Sequence, residues 1–439
     1  MIRLLIVAQY IAPTQSIASI RWTKLAKYLH QTGAYQISVL TNEKHYHSDD
    51  GNAASKDALL EKEMGVFLRY NVIPDSDALK RYYAIKCRHS VYLHRDHDAN
   101  VPADPSAGKR MMYEALHDIK DQLQFFQAKA YLRSHPELLE CDVLITSYDP
   151  LWPHLLGEWI AKRNPAIKWI ADFRDPYRSS MTPQINRIYR RNFEKKHVGS
   201  ASLVTTVSPE LLPMLSLRQG QSTLVLPNGY DPEEAIPPAA PRKFTLVYTG
   251  TLYSSSVHRS DLTPLFASLA AQMESGVIQR KDVVLQYAGQ QGGLFAEQAS
   301  QYGLGDRVED LGFLSRQEAA IIRSQAAGLI LCTWNTGVDQ GIVTGKLYEY
   351  MLARKPVFAI CTGNQPYSRV YSIFQKTGIG YCCEPCRPET LDQLREALTA
   401  AYLSWKHAGR PAYVPDDNAL ADFSYPALAG VLHRAIARL

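Results

Sequence analysis

Two Rossmann-like, doubly wound parallel-sheet α/β domains facing a cleft are the fold class that this sequence predicts. Three observations lead there. The chain has 439 residues, more than one hydrophobic core usefully fills, so it is expected to divide. Short β-branched runs alternate with helical patterns through both halves, the mark of βαβ units around parallel sheets. Between the halves runs Asn228-Gly-Tyr-Asp231-Pro-Glu-Glu-Ala-Ile-Pro-Pro-Ala-Ala-Pro-Arg242, which is proline-rich, lacks a hydrophobic period and reads as a linker or exposed crossover. The predicted boundaries are 1–232 and 233–415, with 416–439 a C-terminal helix packing back on the first domain.

Composition narrows the function classes. An apolar share of 46% with 21% charged residues is that of a globular protein and excludes disorder. The formal charge of +5 is small for the length and argues for neither a dedicated nucleic-acid binder nor a strongly acidic partner. No apolar run approaches the roughly 20 residues that span a bilayer. The opening Met1–Ala8 lacks a basic leader and cleavage site, so the expected location is cytoplasmic. Seven cysteines, an odd number, fit reduced thiols better than a disulfide framework. Cys383-Glu-Pro-Cys386 has no second ligand pair of suitable spacing, so no metal is expected.

In the first half the predicted strands are Leu4–Ala8, Ile37–Thr41, Val66–Tyr70, Val143–Ser147, Trp169–Asp172, Leu203–Val207 and Leu224–Leu226. Ser19–Gln31 is a helix, with Ile20, Leu25, Ala26 and Leu29 at helical spacing, Ser16 or Ser19 as cap and Gly33 closing it. In the second half the strands are Leu246–Thr249, Val283–Ala288, Val308–Leu311, Leu329–Thr333, Val357–Ile360 and Gly380–Cys383. The stretch from Asp77 to Lys120 breaks the alternation and reads as an insertion. Lys80, Arg81, Lys86, Arg88, Arg95, Lys109 and Arg110 lie there among Tyr82, Tyr83, Tyr92 and Tyr113. A solvated helical excursion is the plain reading; a surface for anionic headgroups or a phosphate-bearing acceptor is the functional one. Ligands of doubly wound sheets bind at the carboxyl ends of the strands, so function is expected just after them.

Four segments carry the candidate chemistry. In Gly341-Ile-Val-Thr344-Gly345-Lys346-Leu-Tyr-Glu349-Tyr a glycine-containing loop opens a short helix whose N-terminal amides and Lys346 suit a diphosphate. Glu349, three residues on, shares a face with Lys346 and can accept from ribose hydroxyls; the competing reading is a surface ion pair. Leu246-Val-Tyr-Thr249-Gly250-Thr251 is a strand running into a turn where Gly250 lets backbone approach a phosphate, with Arg259 the nearest cation. Trp169-Ile-Ala-Asp172-Phe-Arg174-Asp175-Pro176 puts three charges at the end of an apolar strand, either facing a polar cleft or as a buried Arg174–Asp175 brace. The first strand-to-helix loop offers Ser16 and Arg21.

These segments resemble family 4 and related glycosyltransferases of the GT-B fold. Lys346-Leu-Tyr-Glu349-Tyr followed by Arg354-Lys-Pro-Val357 is similar to that family's Lys-Leu-Phe-Glu-Tyr and Gly-Lys-Pro-Val. Asp172-Phe-Arg174-Asp175-Pro176, with Ile145-Thr-Ser147-Tyr-Asp-Pro150 and His154 upstream, resembles a run of bacterial polysaccharide-assembly members, and Pro227-Asn228-Gly229 resembles their domain junction. The resemblance implies a donor side of Gly250, Thr251, Arg259, Thr344, Gly345, Lys346, Glu349 and Asn228. It implies catalytic positions at Asp172, Arg174 and Asp175, and an acceptor or sugar side with Ser16, Arg21 and His154. A family acid eight residues before Glu349 is here Gly341, which leaves Asp339 or the amides of 341–345 for the donor sugar. The implied activity is retaining, metal-independent transfer from a nucleotide diphosphate-sugar co-substrate, with no cofactor, to a glycan, lipid-linked or protein acceptor, with possible peripheral contact at the inner membrane face. A catalytically silent nucleotide-sugar binder or an epimerase on the same fold are the alternatives.

Overall fold

The computed structural model describes residues 1–43, 56–84, 107–176, 195–253, 260–337 and 339–439. The chain forms two compact units, Met1–Asn228 with Tyr425–Leu439, and Gly229–Ser424.

The first unit holds β1 (Ile2–Val7), β2 (Tyr35–Asn42), β3 (Phe67–Ile73), β4 (Val143–Tyr148), β5 (Lys168–Phe173), β6 (Leu203–Thr206) and β7 (Thr223–Val225). All pair in parallel in the order β3-β2-β1-β4-β5-β6-β7. Leu4 of β1 registers with Ile37 on one side and Val143 on the other. Each expected strand segment overlaps one of these. Runs such as Leu4-Leu5-Ile6-Val7 are apolar at every position because helices cover both faces of the sheet.

Helix α1 (Ile17–Gln31) starts where Ser16 Oγ accepts the Ser19 N–H at 3.1 Å. It ends before Gly33, whose φ of +71° permits the reversal into β2. Trp22, Leu25 and Leu29 pack one face of the sheet together with Leu428 and Leu432 of the last helix, Tyr425–Ile436. Ala128 and Leu132 of Ala107–Ser134, and Trp152 and Leu156 of Trp152–Arg163, pack the other face. The expected insertion therefore needs correcting at its C-terminal end. Residues 107–120 are the first half of a 28-residue helix that makes the ordinary crossover from β3 to β4. Lys86, Arg88, Tyr92 and Arg95 lie outside the described residues.

The second unit holds β8 (Phe244–Thr249), β9 (Val283–Ala288), β10 (Val308–Asp310), β11 (Gly328–Trp334), β12 (Val357–Thr362) and β13 (Gly380–Cys383), parallel in the order β10-β9-β8-β11-β12-β13. Two of its helices matter below, α2 (Arg316–Gln325) and α3 (Gly345–Ala353). The proline-rich stretch is a largely exposed crossover with specific anchors. Ala239 N–H donates to Ser324 O (2.8 Å), Lys355 Nζ to Ala239 O (2.6 Å) and Trp405 Nε1 to Pro241 O (2.9 Å), which fasten it to the second unit.

In each sheet the direction of strand addition reverses once, between β1 and β4 and between β8 and β11. The loops leaving those strands at their carboxyl ends diverge and open a crevice there. Among the described residues no helix is long and apolar enough to cross a membrane.

Candidate functional site

At the reversal point of the second sheet, the loop after β8 and the start of α3 meet through one side chain. Lys346 Nζ donates to Thr251 O at 2.8 Å and to the Tyr248 hydroxyl at 3.1 Å, and lies 5.0 Å from the centre of the Tyr248 ring. This approach requires Gly250. Its φ is +99°, and a Cβ there would sit 2.6 Å from Lys346 Cε. Behind the loop the Tyr287 hydroxyl donates to Gly250 O (3.0 Å) and accepts the Gln291 N–H (3.1 Å), so the turn is held from its buried side.

The helix start is built to receive an acceptor. Thr344 sits in the cap position with φ −69° and ψ 148° yet makes no capping bond, and its Oγ1 is buried without a hydrogen-bond partner among the described residues. The first amides of any helix lack intrahelical acceptors. Those amides, the Thr344 hydroxyl and the Lys346 ammonium thus gather unused or redirectable donors at the positive end of the helix dipole, an arrangement suited to a phosphate. Burial pulls Lys346 down to about 8 against the opposing pull of Glu349. An arriving dianion would reverse that loss of charge.

Lys346 and Glu349 make no ion pair with each other, which removes the plain surface-pair reading. Glu349 Oε2 instead meets Arg323 Nη1 of α2 at 3.1 Å, with the Arg323 side chain 6% exposed and that of Glu349 30%. The same Nη1 lies 3.3 Å from Thr249 Oγ1 at the end of β8. Tyr350, the next residue of α3, accepts the Thr249 N–H (3.1 Å) and donates to Ile330 O (3.1 Å). Helix α3 is therefore pinned to the two strands that bound the crevice. Asp339 lies in a turn closed by its own N–H to Thr336 Oγ1 (3.1 Å), and Gly341 is buried with φ +72°. Arg259 lies outside the described residues.

The first sheet treats its expected site residues differently. Asp172, at the end of β5, has no exposure. It accepts from Arg21 Nη2 (2.8 Å), Arg21 Nε (3.3 Å), Trp22 Nε1 (2.9 Å), Thr205 Oγ1 (2.7 Å) and Ser147 Oγ (3.3 Å). Burial alone would raise its pKa, but the Arg21 guanidinium and these donors outweigh it and hold the carboxyl below its usual range. Arg21, also fully buried, donates its Nη1 to Pro227 O (2.8 Å) and Asn228 Oδ1 (3.4 Å). The strand-end brace is thus Arg21–Asp172, not the anticipated Arg174–Asp175 pair. Arg174 donates to Tyr148 O (3.0 Å) and Asp149 O (2.8 Å), and Asp175 is exposed.

Asp172, Arg21 and His154, expected against a sugar or acceptor, are all fully buried within the first unit. His154 is sealed between Thr146 Oγ1, 2.7 Å from its Nδ1, and the Phe173 ring at 4.7 Å. Burial drives its pKa down to about 3, so it is neutral. Ser16 serves as the cap of α1.

Sequence reasoning missed Arg323, Tyr248 and Tyr287. Each approaches the site from a different element with no motif spacing to tie it there. The one signal was a buried arginine position on an amphipathic helix, ending one residue pair before β11.

No family model matches the chain, and no curated protein is matched by its sequence. Solved structures do match it along their whole length. They include a sucrose-phosphate synthase from Thermosynechococcus elongatus, 16% identical over 99% of both chains, TM-score 0.57. A lipopolysaccharide outer core galactosyltransferase, WaaB, is 10% identical over 100% of both, TM-score 0.57. An alpha,alpha-trehalose-phosphate synthase (UDP-forming) from Burkholderia vietnamiensis is 13% identical over 100% of this chain and 100% of its own, TM-score 0.57. The fold is that of the GT-B glycosyltransferases.

Proposed function

We propose that the chain transfers a sugar, with retention and without a metal, from a nucleotide diphosphate-sugar to an acceptor hydroxyl. The observation that carries this is the cluster at the start of α3. There Lys346, the Thr344 hydroxyl, which has no hydrogen-bond partner among the described residues, and the first amides of α3 lie together at the reversal point of the second sheet, with Glu349 one turn further along. The same end of the same sheet is where a nucleotide ligand is expected in any doubly wound fold. Neighbours of this fold that are named as a UDP-forming synthase and a galactosyltransferase support the reading.

In this mechanism the bond from the anomeric carbon to the β-phosphate oxygen breaks and the acceptor oxygen forms the new one. The acceptor proton passes to the departing phosphate oxygen, so no protein base is required. Charge grows on the β-phosphate as the bond breaks, and Lys346 with the helix N-terminus meets it there. Glu349 accepts from the ribose. Asp172 has no free lone pair directed outward and serves only to hold the rim of the first sheet. The acceptor class is a glycan or glycoconjugate, and the place of action is the cytoplasmic side of the membrane.

The test is release of nucleoside diphosphate from a panel of nucleotide-sugars, in buffer with chelator and with acceptor extracts present. Turnover is expected for at least one donor. Binding of a donor without any release would favour the second reading, a silent nucleotide-sugar binder, which Gly341 in place of an acid supports.

A further inference from the structure

We infer that Arg323 is a positioning residue for the donor ribose: it fixes one oxygen of Glu349 so that the other faces the incoming hydroxyls. The inference rests on the donor-site reading above and deepens it. Arg323 comes from α2, not from the helix that carries Lys346 and Glu349, and is 5% exposed. A buried guanidinium needs a countercharge. Among the described residues Glu349 is the one carboxylate within ion-pair distance of it, through Oε2 at 3.1 Å. The Nη1 that makes this contact also reaches Thr249 Oγ1 at 3.3 Å. One nitrogen thus ties the end of β8 to the carboxylate on α3.

Two consequences follow for Glu349. Its χ angles lose their freedom, because Oε2 is anchored from the buried side while the side chain remains 30% exposed on the other. Oε1 makes no hydrogen bond among the described residues and is left as the acceptor for a ligand. A free glutamate on a helix surface would have to be ordered and partly dehydrated at the moment of binding, which costs affinity. Here that ordering is complete beforehand. Arg323 Nε is itself buried without a hydrogen-bond partner among the described residues. Packing, not a full set of bonds, therefore holds the guanidinium, and its orientation depends on Glu349 and Thr249 remaining in place.

The experiment compares wild type, Arg323→Met, Arg323→Lys and Arg323→Met/Glu349→Gln, with calorimetric affinities for UDP, GDP and ADP and for the 2′,3′-dideoxy form of each. Thermal melting checks folding. Wild type is expected to bind one diphosphate at least about tenfold more tightly than its dideoxy form, the scale of a lost hydrogen bond to a charged group. In Arg323→Met that ratio should fall to about twofold with affinity for the dideoxy form unchanged, since phosphate contacts lie elsewhere. Arg323→Lys should restore part of the ratio, and the double variant should discriminate no less than Arg323→Met alone. A merely structural role would weaken both forms equally, and that result, or an unchanged ratio in folded Arg323→Met, overturns the inference. If Arg323→Met does not fold, the Arg323→Lys ratio decides: clearly reduced supports it, unchanged overturns it. Failure of wild type to bind any of the diphosphates overturns the donor-site reading as well; binding with an unaltered ratio overturns only the role of Arg323.

Discussion

Asp172 and Glu349 each lie near the carboxyl end of a parallel sheet, and each faces one arginine, yet the two regions use them in opposite ways. Asp172 has zero exposure and receives five donors from four residues, so both of its oxygens are committed. Glu349 gives one oxygen to a buried arginine while its side chain stays 30% exposed. A carboxylate saturated inside the protein stabilises a fold; one half-satisfied at a rim is available for a ligand. The distinction lies in the count and direction of partners, and residue type carries none of it.

The strongest way to break this comparison is Asp172→Ala. It strands the buried Arg21 cation and should cost about 3–5 kcal/mol of stability, read by urea denaturation; a loss under about 1 kcal/mol would mean that water reaches Arg21 and the site is not sealed. Lys346→Met should act through function instead, lowering turnover about a hundredfold, the size of effect seen when one charge-stabilising group is lost, with a melting temperature no lower than that of wild type, since burial opposes the ammonium. Glu349→Gln should be milder, about tenfold in donor affinity. It should also destabilise modestly, since Arg323 keeps an acceptor but loses its countercharge. A fully stable, fully active Glu349→Gln would dissolve the contrast with Asp172.

The two regions should also answer to opposite ends of the pH scale. His154 is pushed from 6.5 to about 3 by burial, so the folded state binds fewer protons than the unfolded chain between those values. Stability from this group is complete above about 6.5 and lost as pH falls toward 3; His154→Phe should flatten that part of a stability profile. Lys346, lowered from 10.5 to about 8, gives stability that is complete above about 10.5 and lost as pH falls to 8. Its charge follows the reverse course, so diphosphate affinity should drop as pH rises past about 8, and Lys346→Met should abolish the drop. The smallest expected effect is that of Thr344→Val. It removes a hydroxyl that has no hydrogen-bond partner among the described residues, so stability should hold or rise slightly while diphosphate affinity falls severalfold.

Much of this architecture was legible in order along the chain. Every expected strand overlaps a real one, because runs such as Leu4–Val7 and Leu329–Cys332 are apolar at each position and a sheet covered on both faces uses such runs. The helix opening at Gly345 and the glycine turn at Gly250 were also readable, since each depends on local backbone chemistry. Less legible were the partners of polar residues. Asp172 reads as a charge in a polar surrounding because it ends an apolar strand, and Trp22, Ser147, Thr205 and Arg21 of helix α1 supply that surrounding inside the protein. The proline-rich segment read as a linker because its carbonyl and amide partners, Ser324, Lys355 and Trp405, are far away in sequence.

By itself, then, the amino-acid order determined the periodicities, turns and caps from which two parallel sheets assemble, since these arise from interactions a few residues apart. Only the tertiary structure decided which charges are spent on one another and which remain open. That choice joins Arg323 to Glu349 and Lys346 to Thr251 across different elements, and the energy of a charge depends on its burial and on neighbours that no local pattern specifies.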